Sequence, residues 1–402
     1  MKKYIYAMLT FACLAFAGCK SNDDMEPVDN PAEATQQDED DDNTTSTLND
    51  SYTYQLPVIF HVLYSDPNDS KQYVSATTLK NILSYVNEIY KGNVYGKSED
   101  IKLSFNLAQY DENGKKLETP GVEYIQYPGT YPIDCHAFMS DNTGANAKYL
   151  WDPNEYINVM LYNFKASDTK AGVTLGISDM PYTLKGDSAL AGLDTVQVSS
   201  IKKSNLSYAY CSSINSLYIN DMSSRYTAAD KGASGYTYYA SDIVVTLAHE
   251  LGHYLGLHHI FTENKSGSYQ EVDSCYDSDY CKDTPSYLRA EYEDYMNEYS
   301  KKHSSLSTDD FYALLRRTNC SNETFLSANI MDYSIGLGYK ISADQKRRIR
   351  SVLYNSPLIP GPKVRTTATT RSPEEGYEGV LDLPIHWVEC KLVGGQRIEN
   401  IK

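Results

Sequence analysis

Eleven residues near the middle of this 402-residue chain, HELGHYLGLHH at positions 249–259, hold four of its eight histidines. Imidazole nitrogens are common ligands of zinc and related metals. On a helix, His249 and His253 lie on one face, one turn apart, and can share a metal ion. Glu250 is rotated from His249 by about 100°, which places its carboxylate beside the ion rather than on it. The spacing predicts a metal site with an acid next to it.

The third ligand depends on where the helix ends. Gly256 predicts that end, because glycine adopts the left-handed conformation of a C-terminal cap. The chain would then turn and bring His259 to the same ion, with His258 out of register. Three histidines and a water form an open catalytic zinc site, in which the ion lowers the pKa of the water. The alternative is a buried helix with incidental histidines, but chance matches to HExxHxxGxxH in this composition are on the order of 10⁻⁵.

The elements around this motif predict an α/β fold. Residues 241–257 are apolar on nearly all sides, which predicts a central, buried helix. Strand patterns at 56–64, 101–108 and 156–162, with a helical pattern at 75–90 after the first, favour a mostly parallel sheet. The remaining expectations are irregular loop at 128–153, polar helices and loops at 286–317, a helix at 342–354, and a tail at 363–402 with one possible strand at 383–393 that the sequence does not place.

The N-terminus has the layout of a secretory signal: a basic start, about 13 mostly apolar residues, then FAGC ending at Cys19. The apolar run is shorter than the ~20 residues that span a bilayer. The residues before Cys19 resemble the lipobox of bacterial lipoproteins, which implies lipidation of Cys19. Several acyl chains on one residue would anchor the protein firmly. Residues 1–19 are therefore predicted to be a lipoprotein signal peptide with its lipidated cysteine.

Residues 20–50 contain eleven acids, one lysine and no aromatic residue. Such a segment cannot bury enough apolar surface to fold, so it predicts a disordered acidic tether with a reach of roughly 30 Å. Its first residues, KSNDD, resemble the export tag of surface lipoproteins in some Gram-negative bacteria, which predicts an outer-membrane lipoprotein exposed at the cell surface. The rest of the chain keeps about −9 of the net charge of −17, which argues against nucleic acid as a partner.

Two further sets of residues suggest disulfide bonds and a calcium site. Beyond Cys19 the chain has six cysteines, an even number that favours disulfides in an exported protein but allows fifteen connectivities; they are Cys135, Cys211, Cys275, Cys281, Cys320 and Cys390. Four carboxylates fall within eleven residues and could bind calcium, although a solvated acidic loop is the favoured alternative; they are Asp273, Asp277, Asp279 and Asp283.

The extended zinc motif resembles that of the metzincin metalloproteases, whose second mark is a methionine turn. NIMDY at 329–333, about seventy residues downstream, is similar to that turn. The resemblance implies that Met331 forms an apolar floor under the histidines without binding zinc. It also implies that Tyr333 lies near the metal, as a weak ligand at rest or as a donor to a developing oxyanion. Pairing of Cys275 with Cys320 would tie the loop after the zinc helix to this turn, with Cys275–Cys281 as the local alternative.

Within the metzincins, the chain resembles the pappalysin family. The similar segments are LPVIFHVLY at 56–64, VNEIY at 86–90, WDPNEYINVMLYNF at 151–164, CKDTP at 281–285 and NIMDYS at 329–334. The resemblance implies a metzincin-like zincin fold with a twisted, mostly parallel sheet. The zinc helix would end an upper lobe (51–259), and an irregular helical lower lobe (260–362) would hold the Met-turn, with 363–402 as an extension. The acidic, cysteine-containing stretch that many relatives carry after the Met-turn is absent here, and the segment between His259 and Met331 is long.

These observations predict a zinc endopeptidase of the bacterial envelope, a monomer acting on proteins or peptides through a zinc-activated water. Glu250 would be the general base that moves the proton. Two alternatives are a catalytically idle binding or adhesion lipoprotein that keeps the zinc, and a zinc amidase or deacetylase acting on cell wall or glycan. The intact Glu250 disfavours the first, and the third histidine disfavours the second. A strand beginning near Tyr54 leaves little room for a folded pro-domain before it.

Overall fold

The computed structural model of the protein describes residues 51–166, 172–219, 242–263, 272, 274–303, 308–333, 335–361 and 377–392. The predicted signal peptide, Cys19 and the acidic tether lie outside these residues, as do Asp273 and Ser334. None of the helices in the described ranges is both long and apolar enough to cross a bilayer.

A sheet of seven strands forms the centre of the described part of the chain. Four of its pairings are parallel: β1 pairs with β2, β3 and β4, and β4 pairs with β8. The last two strands reverse direction, because β5 pairs antiparallel with β8, and β11 pairs antiparallel with β5. The strands of this sheet are β1 (Tyr54–Tyr64), β2 (Leu103–Leu107), β3 (Val122–Gln126), β4 (Ile157–Tyr162), β5 (Val173–Asp179), β8 (Ser212–Asn215) and β11 (Trp387–Leu392).

Two short ribbons lie outside this sheet, one joining β6 (Thr183–Leu184) to β7 (Thr195–Val196), the other joining β9 (Arg316–Thr318) to β10 (Thr324–Leu326). The described α-helices are α1 (Ala76–Lys91), α2 (Cys135–Ser140), α3 (Ile243–Tyr254), α4 (Arg289–Lys302), α5 (Thr308–Leu315) and α6 (Ala343–Asn355). The strand and helix predictions at 56–64, 75–90, 101–108, 156–162 and 342–354 are confirmed within a few residues. The mostly parallel α/β arrangement is confirmed as well.

Helix α3 lies in the core between the sheet and α1, as its apolar surface requires. It packs against β5, β8 and α1, and the Tyr90 hydroxyl of α1 donates to the carbonyl oxygen of Ala248 at 2.9 Å. Asp242 caps its first turn by accepting from the amides of Val244 and Val245. The side chains of the last turns of α3 are therefore held in a fixed position under the sheet.

Three expectations about the fold are corrected or completed. The 128–153 stretch is not only loop, because it contains α2 and a 3-10 turn at Ala147–Tyr149. Strand β8 was not predicted, since its sequence SSIN carries no apolar alternation even though it is buried. The C-terminal strand, which the sequence left unplaced, pairs with β5 along Trp387–Leu392.

The segment after α3 is tied down in two places. Cys275 and Cys320 form a disulfide, with their Cα atoms 5.6 Å apart, as predicted, and the other four cysteines of the described chain are free and buried. Arg348 of α6 donates to the carbonyl oxygens of Gly256 and Ala191. The turn after the zinc-motif helix is thereby fixed by α6.

Candidate active site

The three predicted ligands meet at the end of α3. The helix ends at Tyr254, and Gly256 has a φ of +91° that turns the chain back. The Nε2 atoms of His249 and His253 are 3.0 Å apart. The Nε2 atom of His259 lies 3.1 Å from that of His249 and 3.0 Å from that of His253. All three side chains are buried. The turn therefore brings the third imidazole to the other two.

Two of the nitrogens that face away from this point have a hydrogen-bond acceptor, and the third lies close to a carboxylate. Nδ1 of His249 is 2.6 Å from the carbonyl oxygen of Ile330, and Nδ1 of His253 is 2.8 Å from that of Leu257. Nδ1 of His259 lies 2.8 Å from a carboxylate oxygen of Glu263. Since a carbonyl can only accept, Nδ1 of His249 and His253 must carry the proton, which leaves Nε2 bare on the neutral rings. Burial, and then the neighbouring His259, hold the pKa of both rings well below 6.5.

Bare imidazole nitrogens at this separation fit a metal ion. Without one, their lone pairs face each other with no donor between them, which is unfavourable in a buried site. Zinc–nitrogen bonds of 2.0–2.1 Å in a tetrahedron place the nitrogens about 3.3 Å apart, close to the observed 3.0–3.1 Å. The donor set and its spacing therefore suit a zinc ion.

Glu250 lies beside the histidines with an uncommitted carboxylate. It is fully buried, and neither of its oxygens has a hydrogen-bond partner among the described residues. Burial, followed by the negative charge of Glu389, raises its pKa well above 4.5. A buried carboxylate without a partner is costly, so Glu250 is not explained by a contribution to the stability of the fold.

The Met-turn residues lie on the other side of the histidines. Met331 is fully buried. Its sulfur packs against Gly252 of α3, where an added Cβ atom on the glycine would lie only 2.6 Å from the sulfur. The carbonyl oxygen of Met331 accepts a hydrogen bond from the amide of Ile260. The Tyr333 ring centroid is 4.5 Å from that of His259 and 5.9 Å from that of His249. Met331 therefore packs against the zinc-motif helix, and Tyr333 lies beside the His259 ring.

The C-terminal strand covers this site. Cys390 of β11, His249 and Glu250 offer potential ligand atoms within 4.8 Å of one another. This is the one group besides the three histidines that could hold a metal among the described residues. The Tyr333 hydroxyl donates to the backbone carbonyl of Glu389, the residue before Cys390.

Three site residues were not found by sequence reasoning. Gly176 of β5 gives Glu250 its space, the Glu263 carboxylate lies beside the His259 ring, and the Cys390 thiol lies beside His249 and Glu250. Glu263 had a weak signal, an acid four residues after a ligand. Gly176 and Cys390 had none, because only the pairing of β5 with β11 brings them to α3.

Other predicted residues are not part of this group. His258 lies 5.3 Å from Tyr280 between ring centroids, on the far side of the turn. The candidate calcium ligands also do not converge among the described residues. The Asp279 carboxylate accepts from Cys281 and Thr284, whereas Asp283 accepts from Ser342 and Asp344 at the start of α6.

These features define a metallopeptidase of the zincin type. They are a helix that presents two histidines and a glutamate, a third histidine after a glycine turn, and a methionine turn beneath them. Residues 219–354 match the Peptidase_M43 family, described as pregnancy-associated plasma protein-A. The matched segment contains the three histidines, Glu250 and Met331, and it supports a metalloprotease. No curated protein sequence matches the chain.

Solved structures similar to this chain include those of mirolysin. Mirolysin in complex with compound 9 is 19% identical, with a TM-score of 0.46, over 75% of this chain and 92% of that one. Mature mirolysin of Tannerella forsythia with a cleaved peptide is 18% identical, with a TM-score of 0.45, over the same shares. A promirolysin variant from that organism is 19% identical, with a TM-score of 0.46, over 75% of this chain and 81% of that one.

Proposed function

We propose that this metalloprotease is a zinc endopeptidase tethered to the bacterial envelope, with His249, His253 and His259 as zinc ligands and Glu250 as general base. The observation that carries the proposal is the geometry at the end of α3. Three imidazoles converge there at 3.0–3.1 Å, beside a buried carboxylate that has no hydrogen-bond partner among the described residues.

A zinc ion held by these histidines would supply a Lewis acid that polarises a peptide carbonyl and lowers the pKa of water. Glu250 would take the proton from the attacking water and deliver it to the leaving amine. The raised pKa of Glu250 suits this role, because a base that holds the proton too weakly cannot carry it to the amine. A divalent cation nearby acts in the opposite direction on this pKa.

Tyr333 would donate to the carbonyl oxygen as negative charge develops on it. Its hydroxyl already donates to a backbone carbonyl beside the histidines, which is the kind of group that a substrate would present. Burial raises the pKa of Tyr333 well above 10, so the phenol keeps its proton at neutral pH and remains a donor. Its contribution lies in orienting and stabilising that oxygen.

The substrate would lie along β5. An extended peptide binds most readily by adding a strand to a sheet edge, where backbone groups are free to pair. Strand β5 is the last strand of the sheet apart from β11, and it passes within contact of Glu250 at Gly176. A peptide on this edge would therefore cross the catalytic residues.

Metal content and chelator-sensitive cleavage test the proposal together. The mature chain should bind about one zinc ion and digest casein in a reaction stopped by a chelator and restored by zinc. Glu250→Ala should keep the zinc and lose at least about 100-fold in rate, since a general acid–base group contributes 10²–10⁴-fold. Retention of more than about a tenth of the activity in Glu250→Ala would refute the assigned role of this residue.

The envelope tether is supported by the sequence at 1–50, through the signal pattern, Cys19 and the acidic segment after it. Cells fed a fatty-acid analogue should incorporate it into wild-type protein and not into Cys19→Ser. The wild-type protein should also partition into detergent, whereas the variant should stay in the aqueous phase. Equal partitioning of the two proteins would argue against a lipid anchor on Cys19.

A further inference from the structure

Strand β11 lies where an extended substrate would bind. It runs antiparallel to β5 from the Trp387–Asp179 pair to the Leu392–Val173 pair. It completes the sheet next to the catalytic helix, and Cys390 lies opposite Gly176, the residue that contacts Glu250. The chain's own C-terminal strand therefore takes the edge that a peptide would need.

The backbone of β11 also meets the catalytic groups as a substrate would. The carbonyl of Glu389 accepts a hydrogen bond from Tyr333. The next side chain, Cys390, places its thiol within 4.8 Å of a ring nitrogen of His249 and a carboxylate oxygen of Glu250, and it is buried. Strand β11 therefore contacts the same groups that a bound peptide would contact.

Polar contacts at several points hold the strand in place. The His386 carbonyl accepts from the amide of Met180 at 2.8 Å, and Tyr182 donates to the carbonyl of Pro384. The Glu389 carboxylate lies 2.9 Å from His136 and accepts from Thr174 at 3.1 Å. Its other oxygen is 2.6 Å from the ammonium of Lys391. The contacts of Glu389 reach β5 and α2, so the strand is bound by its side chains as well as its backbone.

We propose that β11 is an intramolecular occupant of the substrate cleft, with the Cys390 thiol beside His249 and Glu250, and that the strand inhibits the protease until it is displaced. The inference rests on the proposed function. A tethered strand has an effective concentration in the millimolar range, so a substrate at micromolar concentration competes poorly with it. Removal of the strand would therefore increase the activity.

One substitution can release the strand and leave the catalytic residues unchanged. Hydrogen-bonded pairs alternate along an antiparallel ladder, so the Met180–His386 bond makes Val388 and Ser178 the next bonded pair. Val388→Pro removes the donor of that pair, and the ring disfavours a strand interior. Val388→Thr keeps both the N–H and the β-branched side chain, which makes it the matched control.

Alkylation of Cys390 tests the position of the strand without reference to activity. Zinc-loaded wild type, Val388→Thr and Val388→Pro would be treated with iodoacetamide under native conditions and mapped by mass spectrometry. Cys390 should stay unmodified in the first two and react at least tenfold faster in Val388→Pro, while the buried Cys135 and Cys211 report on the integrity of the fold. Ready alkylation of Cys390 in wild type would overturn the proposal.

Activity then tests latency. Val388→Pro should cleave an internally quenched peptide with a kcat/KM at least tenfold above wild type and Val388→Thr. Equal activity in all three, or cleavage of the wild-type chain at the Glu389–Cys390 bond, would overturn the blocking role. If no variant cleaves although all bind zinc, the proposed peptidase function fails, and the alkylation result still decides where the strand lies.

Discussion

A Cβ atom on Gly176 would lie 2.5 Å from a carboxylate oxygen of Glu250, a distance that real Cβ atoms essentially never show. Gly176 lies in β5, and Glu250 is in the zinc-motif helix α3. The glycine therefore does more than allow the strand to form. It sets how closely the sheet edge, and any peptide bound along it, can approach the carboxylate.

Gly176→Ala should reduce kcat by about 100-fold with the zinc content unchanged. The added methyl group must push the Glu250 carboxylate or the strand aside, and a displacement of about 1 Å at a reacting group typically costs about 10²-fold. Steady-state kinetics and metal analysis of the purified variant measure the two quantities.

A double-mutant cycle gives the control for Gly176→Ala. Glu250→Asp shortens the carboxylate side chain by one methylene, so the alanine methyl should cost less in that background than in wild type. Contacting residues show such coupling, and distant residues do not. Additive effects of the two substitutions would mean that Gly176→Ala acts through general loss of β5 and not through Glu250.

His259→Ala should lower zinc affinity strongly, because it removes one of three convergent nitrogens, whereas His258→Ala should leave the affinity near the wild-type value. The two rings are adjacent in the chain, but only His259 has its Nε2 within 3.1 Å of the others. Competition with a chromogenic chelator measures both affinities. The reverse pattern would make His258 the third ligand.

The ligand set could be predicted from the sequence because it is local. His249 and His253 share a helix face, and Gly256 marks the turn that returns the chain to them, so short-range geometry brings His259 to the others. The parallel order of the sheet followed in the same way from alternating strand and helix patterns.

The groups that complete the site could not be predicted, because they depend on long-range pairing. Gly176 lies 74 positions before Glu250, in a strand whose central glycine weakens the strand pattern. Cys390 comes from a tail that has no periodic signal linking it to β5. Glu263 follows His259 by four residues, but the chain is not helical there, so spacing alone did not direct its carboxylate toward the ring.

Glu263→Gln should lower zinc affinity by about 10–100-fold and leave the fold intact. The Glu263 carboxylate lies 2.8 Å from Nδ1 of His259, where it orients the ring and increases the electron density on the opposite nitrogen. Loss of such a partner typically has this effect on a histidine ligand. Chelator competition gives the affinity, and an unchanged thermal midpoint of the metal-free protein is the check on folding. Wild-type affinity in the variant would assign Glu263 a role in the loop alone.

Asp279 should make the protein less stable as the pH rises from 5 to 8. Burial, above all, raises the pKa of its carboxyl from 3.8 to about 8. A group whose pKa is raised on folding stabilises the folded state most below its unfolded pKa, and this contribution is lost as the pH rises through the folded value. The loss is at most about 1.4 kcal/mol for each pH unit in this window, measurable by urea unfolding at several pH values.

Asp279→Asn should flatten that pH dependence without breaking the local contacts. Thr284 has one hydroxyl hydrogen but lies 2.7 Å from both the Asp279 carboxylate and the carbonyl of Cys281. A protonated Asp279, or an asparagine amide, can donate to the Thr284 oxygen and leave that hydrogen for Cys281. An equally steep pH dependence in Asp279→Asn would transfer the effect to another group. Calcium titration of wild type at pH 8 separately tests the predicted calcium site.

The preferred residue after the cut should be apolar or uncharged, not arginine or lysine. In pappalysins that select a basic side chain, acids just after the Met-turn help to line its pocket, and residues 334–343 contain none. In their place the chain has Ile335, which is buried, and Leu337, which is partly buried. The carbonyl of Ile335 is fixed by the Arg317 guanidinium at 2.8 Å, so this apolar segment is held in position.

The charges near the site favour the same preference. The Arg289 guanidinium lies 4.8 Å from the Phe261 ring centroid and 5.3 Å from that of Tyr333, so a cation already lies beside Tyr333. Asp279 and Asp283, the acids that could have reached the pocket from the loop before α4, accept hydrogen bonds from their own surroundings. A substrate arginine or lysine would enter a partly dehydrated pocket without a partner, which is costly. Cleavage of a random peptide library by the Val388→Pro variant should therefore give leucine or a similar residue after the cut at least tenfold more often than arginine or lysine. Dominance of the basic residues would show that an acid outside the 334–343 segment lines the pocket.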